Sequence, residues 1–174
     1  MKKVDSSIVI DLLIVLFLIV LNGIFAMTEI ALISSKPAKL EVEANRGKRS
    51  AKIALHYSKD PTDLLSTVQV GITLIGIING AYGGACFSAP IASAFEQAGM
   101  STQYAGTVAY VAVVTIITYL SLIIGELVPK RIALVSPEKV TMAIIPSLDL
   151  FSKVMKPFIW ILSKSTLFLF KLLG

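Results

Sequence analysis

Cysteine and histidine are almost missing, with one of each among 174 residues, Cys86 and His56. A single thiol excludes an intrachain disulfide and a cysteine metal cluster, and one imidazole gives no basis for a structural zinc site. Charged residues make up only 16% of the chain. No nucleophile and base stand at a recognisable spacing, so an enzyme is the weakest reading.

What is present is apolar. At 55% hydrophobic residues and a mean hydropathy of +0.81, the chain is too apolar for an ordinary soluble domain and reads as an integral membrane protein. Its sixteen Lys and Arg residues give a net charge of +5. They are segregated between apolar runs, which argues for membrane topology and against a nucleic-acid partner. The runs cover roughly 8–33, 64–92 and 104–126, each near or above the ~20 residues needed to cross hydrocarbon. The first exceeds a signal-peptide core, and no small-residue cleavage pattern follows it. The expected fold class is an all-α integral membrane protein, with three transmembrane helices plus amphipathic juxtamembrane helices. The expected division is a three-span core over 1–136 and a juxtamembrane helix over 137–174.

Lys36, Lys39, Arg46, Lys48, Arg49, Lys52 and Lys59 all lie between the first two runs. The connection between the second and third runs holds Glu96 and no Lys or Arg, and Lys130 and Arg131 directly follow the third. The positive-inside rule therefore predicts a cytoplasmic 34–63 connection, the N-terminus outside and the C-terminus cytoplasmic, against the vote of Lys2 and Lys3. The connection is too long for a plain turn. Two short helices are expected, one opened by Pro37 and stopped at Gly47, the other containing Ala51, Ile53, Ala54, Leu55 and Tyr57. Asp60-Pro61-Thr62-Asp63 reads as the start of the second span, with Asp60 as cap.

Beyond Thr141 the apolar content invites a fourth span. Asp149, Lys153, Lys156, Lys164 and Lys171, however, project within about 80° of one another at 100° per residue. A helix with one polar stripe and a Trp160 at headgroup depth lies along a lipid interface, and Pro146 and Pro157 are expected to bend or divide it.

Polar groups inside the runs are the functional signal, because intramembrane ionisable residues usually mark an ion path, a relay or a substrate site. Asn22 and Glu29 share a face of the first run with Ala26. Ser66, Gln69, Thr73, Gly76, Gly80 and Gly83 share a broad face of the second, where Gly76, Gly80 and Gly84 also form a small-residue ladder open to a second backbone. Asn79 points away from Ser66. In the third run Thr115, Tyr119, Leu122 and Glu126 align, and Pro129 is expected to break the helix and free carbonyls near Gly125 and Glu126. One carboxylate, neutral oxygens and a freed carbonyl form an all-oxygen ligand set, which suits a hard cation such as Mg²⁺. Simpler readings stand beside this one. Glu29 can snorkel to headgroups, Glu126 can pair with Lys130 four residues on, and the hydroxyls of Ser66, Thr67 and Thr73 can bond back to their own helix.

Three blocks in order, Asn22-Gly23-Ile24-Phe25-Ala26-Met27-Thr28-Glu29-Ile30-Ala31-Leu32, Leu65-Ser66-Thr67-Val68-Gln69-Val70-Gly71-Ile72-Thr73-Leu74 and Gly125-Glu126-Leu127-Val128-Pro129-Lys130-Arg131, carry a family resemblance. The chain resembles the transmembrane domain (DUF21) of the CorC and cyclin M (CNNM) magnesium transporters, in the bacterial hemolysin-like subgroup. The resemblance implies three spans, a juxtamembrane helix, a homodimer in the lipid of the cell's inner membrane, and Mg²⁺ export driven by inward Na⁺ movement. It implies a secondary transporter and not an enzyme. The metal ligands that the resemblance implies are Asn22, Ser66, Gln69 and Glu126, with Thr73 beside them; the reading of the residues adds the Gly125 carbonyl, with Glu29, Asn79 and Lys130 as accessory positions. Many members carry an Asn close to Thr73, and this chain does not. Family members typically continue into regulatory CBS domains, which are absent from this sequence. A second class of function stays open: a membrane anchor or Mg²⁺ sensor that signals to a cytoplasmic partner without flux. The coupling ion and the direction of transport stay open as well.

Overall fold

The computed structural model describes residues 2–173, with side chains over 7–172. Its elements are α1 (Lys2–Ser34), α2 (Pro37–Asn45), α3 (Arg49–Lys59), α4 (Thr62–Gln97), α5 (Thr102–Leu122), a π-helical turn (Ile123–Leu127), α6 (Val128–Val135) and α7 (Pro137–Leu173). Among the described residues no strand occurs, and three segments are long and apolar enough to cross a membrane: Ser7–Ser34, Thr62–Gln97 and Thr102–Val135. The fold is that of an all-α membrane protein. α7 is not among the three.

The helix ends follow local chemistry. Pro37 stands at the first helical position of α2, where its missing N–H costs nothing. Gly47, with φ of 89°, ends that helix. The Gly47 N–H reaches the Ala44 carbonyl at 3.0 Å and the Lys48 N–H the Glu43 carbonyl at 3.2 Å, the paired bonds of a glycine C-cap. Gly99, with φ of 97°, ends α4 in the same way, through Gly99 N to Glu96 O and Met100 N to Phe95 O, both 3.0 Å. At the start of α4 the Asp60 carboxylate accepts from Thr62 N–H at 3.4 Å. Pro146 and Pro157 lie within α7, which runs undivided past both.

The chain forms two compact units: one of 1–26 and 72–129, the other of 27–71 and 130–174. Helices α1, α4 and α6 contribute to both. In the first unit, Val15 and Ile19 of α1 meet Val113 and Ile117 of α5, with Tyr82, Phe87 and Ile91 of α4 packed against them. Glycine makes room for this core. A Cβ on Gly84 would sit 2.6 Å from the Tyr110 ring, and one on Gly83 would collide with Ile117. At Gly76 and Gly80 a Cβ meets nothing within 4 Å. The expected glycine ladder therefore admits side chains at one end and open space at the other, because α4 is approached here by bulky apolar groups of α5.

In the second unit, hydroxyls and ion pairs tie the short helices to α7. The Ser35 hydroxyl donates to Ala31 O at 2.7 Å and lies 2.9 Å from Thr141 Oγ1. A hydroxyl has one proton, so Thr141 donates in that second bond. Lys39 pairs with Glu138 at 3.2 Å. Thr67 Oγ1 donates to Asp63 O at 2.8 Å, the back-bond to its own helix that its position allows. On α7, the Tyr57 hydroxyl donates to Asp149 Oδ1 at 2.8 Å and Lys153 Nζ to Asp149 Oδ2 at 2.7 Å. The first part of the expected headgroup-facing stripe is thus engaged with α3, whose own surface supplies the phenol.

This cluster gives α3 docking a pH signature. Lys153, then the Tyr57 hydroxyl, hold the Asp149 carboxyl below its usual 3.8 despite opposing burial. Burial, then the Asp149 contact, push the Tyr57 phenol from 10.0 to about 12. A depressed carboxyl gives stability that is lost as pH falls through its folded value, and a raised phenol gives stability that fades as pH rises from 10 to about 12. The amide-exchange protection of α3, taken relative to the intrinsic exchange rate at each pH, is expected to stay constant at mid-range pH and to fall at both extremes. Tyr57→Phe should remove the alkaline limb and weaken the acid one, and an unchanged alkaline limb would refute the assignment.

Candidate cation site

Gly125 has no α-helical donor for its carbonyl. That donor would be the N–H of residue 129, and Pro129 has none. The chain responds with the π-helical turn, in which Val128 N–H bonds Ile123 O. The Gly125 carbonyl is met from α1 by the Asn22 side chain, whose Nδ2 donates to it at 3.1 Å. A carbonyl only accepts, so this bond fixes the amide orientation and sends Asn22 Oδ1 the other way. The expected helix break at Pro129 is corrected: the helix continues through α6, because one wide turn and one side-chain donor absorb the missing bond.

Close approach makes this contact possible. A Cβ on Gly125 would lie 3.0 Å from Ile19 O, and a Cβ on Gly23 would lie 3.0 Å from the Pro129 ring. The Asn22-Gly23 and Gly125-Glu126 pairs thus work together, one residue of each supplying polarity and the other space.

Asn22 is 7% exposed, and its Oδ1 is buried without a hydrogen-bond partner. It lines a cavity of about 230 Å³ in the first unit with Ile72, Gly76, Gly80, Ile117, Thr118, Ser121, Leu122 and Glu126. Asn79, 2% exposed, donates from Nδ2 to Ser121 Oγ at 2.9 Å, and its Oδ1 is likewise buried without a partner. The lining residues therefore include one carboxylic acid, one amide whose oxygen is orphaned and two hydroxyls. Projection at 100° per residue aligned Thr115 and Tyr119 with Glu126. The structure puts Thr118 and Ser121 on the cavity instead, because the π-helical turn adds a residue and rotates the face above it by one position. Pro129, four residues after a glycine, was the readable signal for that turn.

Other expected ligands belong to the second unit. Glu29, Ser66 and Gln69 line a groove of about 700 Å³ there, with Ser163 and Thr166 of α7 and aliphatic side chains including Ile33, Leu65, Val70 and Leu162. Glu29 pairs with Lys130 at 3.2 Å, each side chain about a quarter exposed. Thr73, in the first unit, is exposed and does not line its cavity. The structure thus brings Asn22, Gly125 and Glu126 together in one unit and Glu29, Ser66, Gln69 and Lys130 in the other. Among the described residues no group of three or more His, Cys, Asp or Glu is placed to hold a metal.

Comparison with known proteins finds relatives along nearly the whole chain. The family described as the cyclin M transmembrane N-terminal domain matches residues 13–174. The chain is 43% identical over 170 residues to the UPF0053 protein sll0260 of Synechocystis, covering 98% of this chain and 38% of the relative. It is 31% identical over 174 residues to the UPF0053 protein YhdT of Bacillus subtilis, covering 100% of this chain and 37% of that protein. A polyamine export protein of Escherichia coli is 28% identical over 150 residues, 86% of this chain and 33% of its own length. The chain thus spans little more than a third of the curated relatives it matches, and along nearly all of its own length it belongs to the cyclin M (CNNM, DUF21) transmembrane-domain family.

Proposed function

We propose that the first unit's cavity is the cation site of a transporter that moves Mg²⁺ across the membrane, by Na⁺-coupled export. One observation carries this reading: Asn22, whose Oδ1 is buried without a donor, lines the same cavity as Glu126. An orphaned buried acceptor costs about 1–3 kcal/mol, which a bound cation offsets. Oxygen-only lining suits Mg²⁺, which keeps part of its water and takes one or two carboxylates. A single carboxylate also lets the ion leave, as flux requires. In this proposal the Lys- and Arg-rich connection is cytoplasmic, and the dimer and CBS modules implied by the family complete the working protein.

The test is flux in sealed vesicles loaded with Mg²⁺, with and without an imposed Na⁺ gradient. Gradient-dependent Mg²⁺ loss supports the proposal. Binding without flux supports the anchor or sensor instead. A second reading rests on the relative named polyamine export protein and on the second unit's groove. There Glu29, whose carboxylate pairs with Lys130, lines the groove with neutral polar and aliphatic side chains, a set that suits a flexible aliphatic ammonium ion competing with Lys130. Spermidine flux that Glu29→Gln abolishes and Glu126→Gln spares would favour it.

Gly80 separates a role in packing from a role in transport. A Cβ there meets nothing within 4 Å, and Gly is disfavoured in helices by about 1 kcal/mol relative to Ala. Gly80→Leu is expected to fold normally, fill the cavity and cut Mg²⁺ flux at least about tenfold, a rise of ~1.4 kcal/mol in the transport barrier. Undiminished flux in a folded Gly80→Leu protein would remove the cavity from the transport path.

A further inference from the structure

Asp11 is an acid inside the first span that plays no part in the cavity. It lies half-buried within the Ser7–Ser34 span, and its Oδ1 accepts from the Tyr82 hydroxyl of α4 at 2.7 Å. Among the described residues this is its one recorded polar contact.

The position of the pair gives it meaning. Among the described residues, the polar contacts that join helices of the first unit include Asp11 to Tyr82 between α1 and α4, Asn79 to Ser121 between α4 and α5, and Asn22 to Gly125 between α1 and the π-helical turn. Along α1, Asp11, Val15, Ile19 and Asn22 fall on one stripe, and Asp11 stands eleven residues, about 16 Å, from Asn22. Between these two polar ends lies the apolar layer of Val15, Ile19, Val113 and Ile117. Ile117 is also a wall of the cavity. The Tyr82 ring packs on that layer while its hydroxyl holds Asp11. A cation leaving the cavity towards the N-terminal end of α1 meets this layer first and then the carboxylate.

We propose that Asp11 is a second cation-contact point of the first unit, covered in this state by Tyr82, whose ring and hydroxyl together close the apolar layer over the cavity. The proposal rests on the transport reading. Loss of the Tyr82 to Asp11 bond unseals the layer and exposes a carboxylate to a hydrated divalent cation, which needs only one such ligand to be drawn from water. Tyr82 is a positioning residue here, acting through Asp11 and the layer beneath it.

Cys86, the one cysteine, lies one helical turn from Tyr82, is partly buried and is within reach of the Tyr82 hydroxyl, so its labelling reports on that hydroxyl directly and on the Asp11 carboxylate through the response to Mg²⁺. The experiment measures modification of Cys86 by a membrane-impermeant maleimide on both faces of vesicles holding the full chain. Tyr82→Phe keeps the ring and removes the hydroxyl. It is expected to accelerate labelling about tenfold, the factor carried by loss of one hydrogen bond to a charged group. Mg²⁺ should then slow labelling in Tyr82→Phe and fail to do so in Tyr82→Phe/Asp11→Asn. Unchanged labelling in Tyr82→Phe overturns the closure, and equal Mg²⁺ protection with and without the Asp11 carboxylate overturns the contact point. The same labelling pattern in a Glu126→Gln background supports the proposal independently of flux, so failure of the cavity reading and failure of this one give different results.

Discussion

Glu126→Gln is expected to abolish Mg²⁺ flux, by at least about a hundredfold, in a protein that still folds. Among the described residues, Glu126 is the only carboxylic acid that lines the first unit's cavity, so its replacement leaves a divalent ion with neutral ligands alone. Two unit charges 4 Å apart interact by about 4 kcal/mol at an effective dielectric constant of 20, and a divalent ion doubles the attraction before desolvation opposes it. A hundredfold loss corresponds to ~2.7 kcal/mol, well inside that range. Gln keeps the shape and an amide oxygen, so the helix has no reason to fail. Vesicle flux together with thermal denaturation checks both halves. Retained flux in Glu126→Gln would show that the ion takes its charge from elsewhere.

The second large effect is expected at Asn22, on stability and transport together. Its Nδ2 is the donor recorded for the carbonyl that Pro129 leaves without one. Asn22→Leu strands that carbonyl in an apolar interior at a cost of about 1–3 kcal/mol and removes the orphaned oxygen from the cavity. Asn22→Asp is the sharper variant. It adds a charge to the cavity, which taken alone strengthens cation binding, yet it sets an acceptor-only carboxylate against an acceptor-only carbonyl. The expected result is a lower denaturation temperature for both variants and loss of flux for both. An Asn22→Asp protein as stable as the parent would refute the role assigned to the Gly125 contact.

Much of the architecture was legible because single residues force it. Pro37 can open a helix and Gly47 can end one, and both do. The three spans were readable from length and apolarity alone, since lipid demands both. The site was harder for two reasons. A regular 100° projection fails across the π-helical turn, which moves Thr118 and Ser121 onto the cavity in place of Thr115 and Tyr119. One long helix also presents residues to two different units, so that Ser66 and Gln69 share α4 with Gly76 and Gly80 and yet line the second unit's groove with Glu29. Sequence spacing within one helix does not reveal where that allegiance changes. Asp11 carries no such signal in the sequence, because a lone acid near the end of a span can equally well face headgroups. Only its contact with Tyr82, 71 residues away, distinguishes it.

The most direct test of the central claim is where a hard divalent cation sits. Mn²⁺ shares the oxygen preference and octahedral geometry of Mg²⁺ and is visible by its anomalous scattering. Crystals of the full chain grown with Mn²⁺ are expected to show an anomalous peak between Asn22 Oδ1 and the Glu126 carboxylate, lost in Glu126→Gln. A peak instead against Glu29, Ser66 and Gln69, with none beside Asn22, would contradict the account.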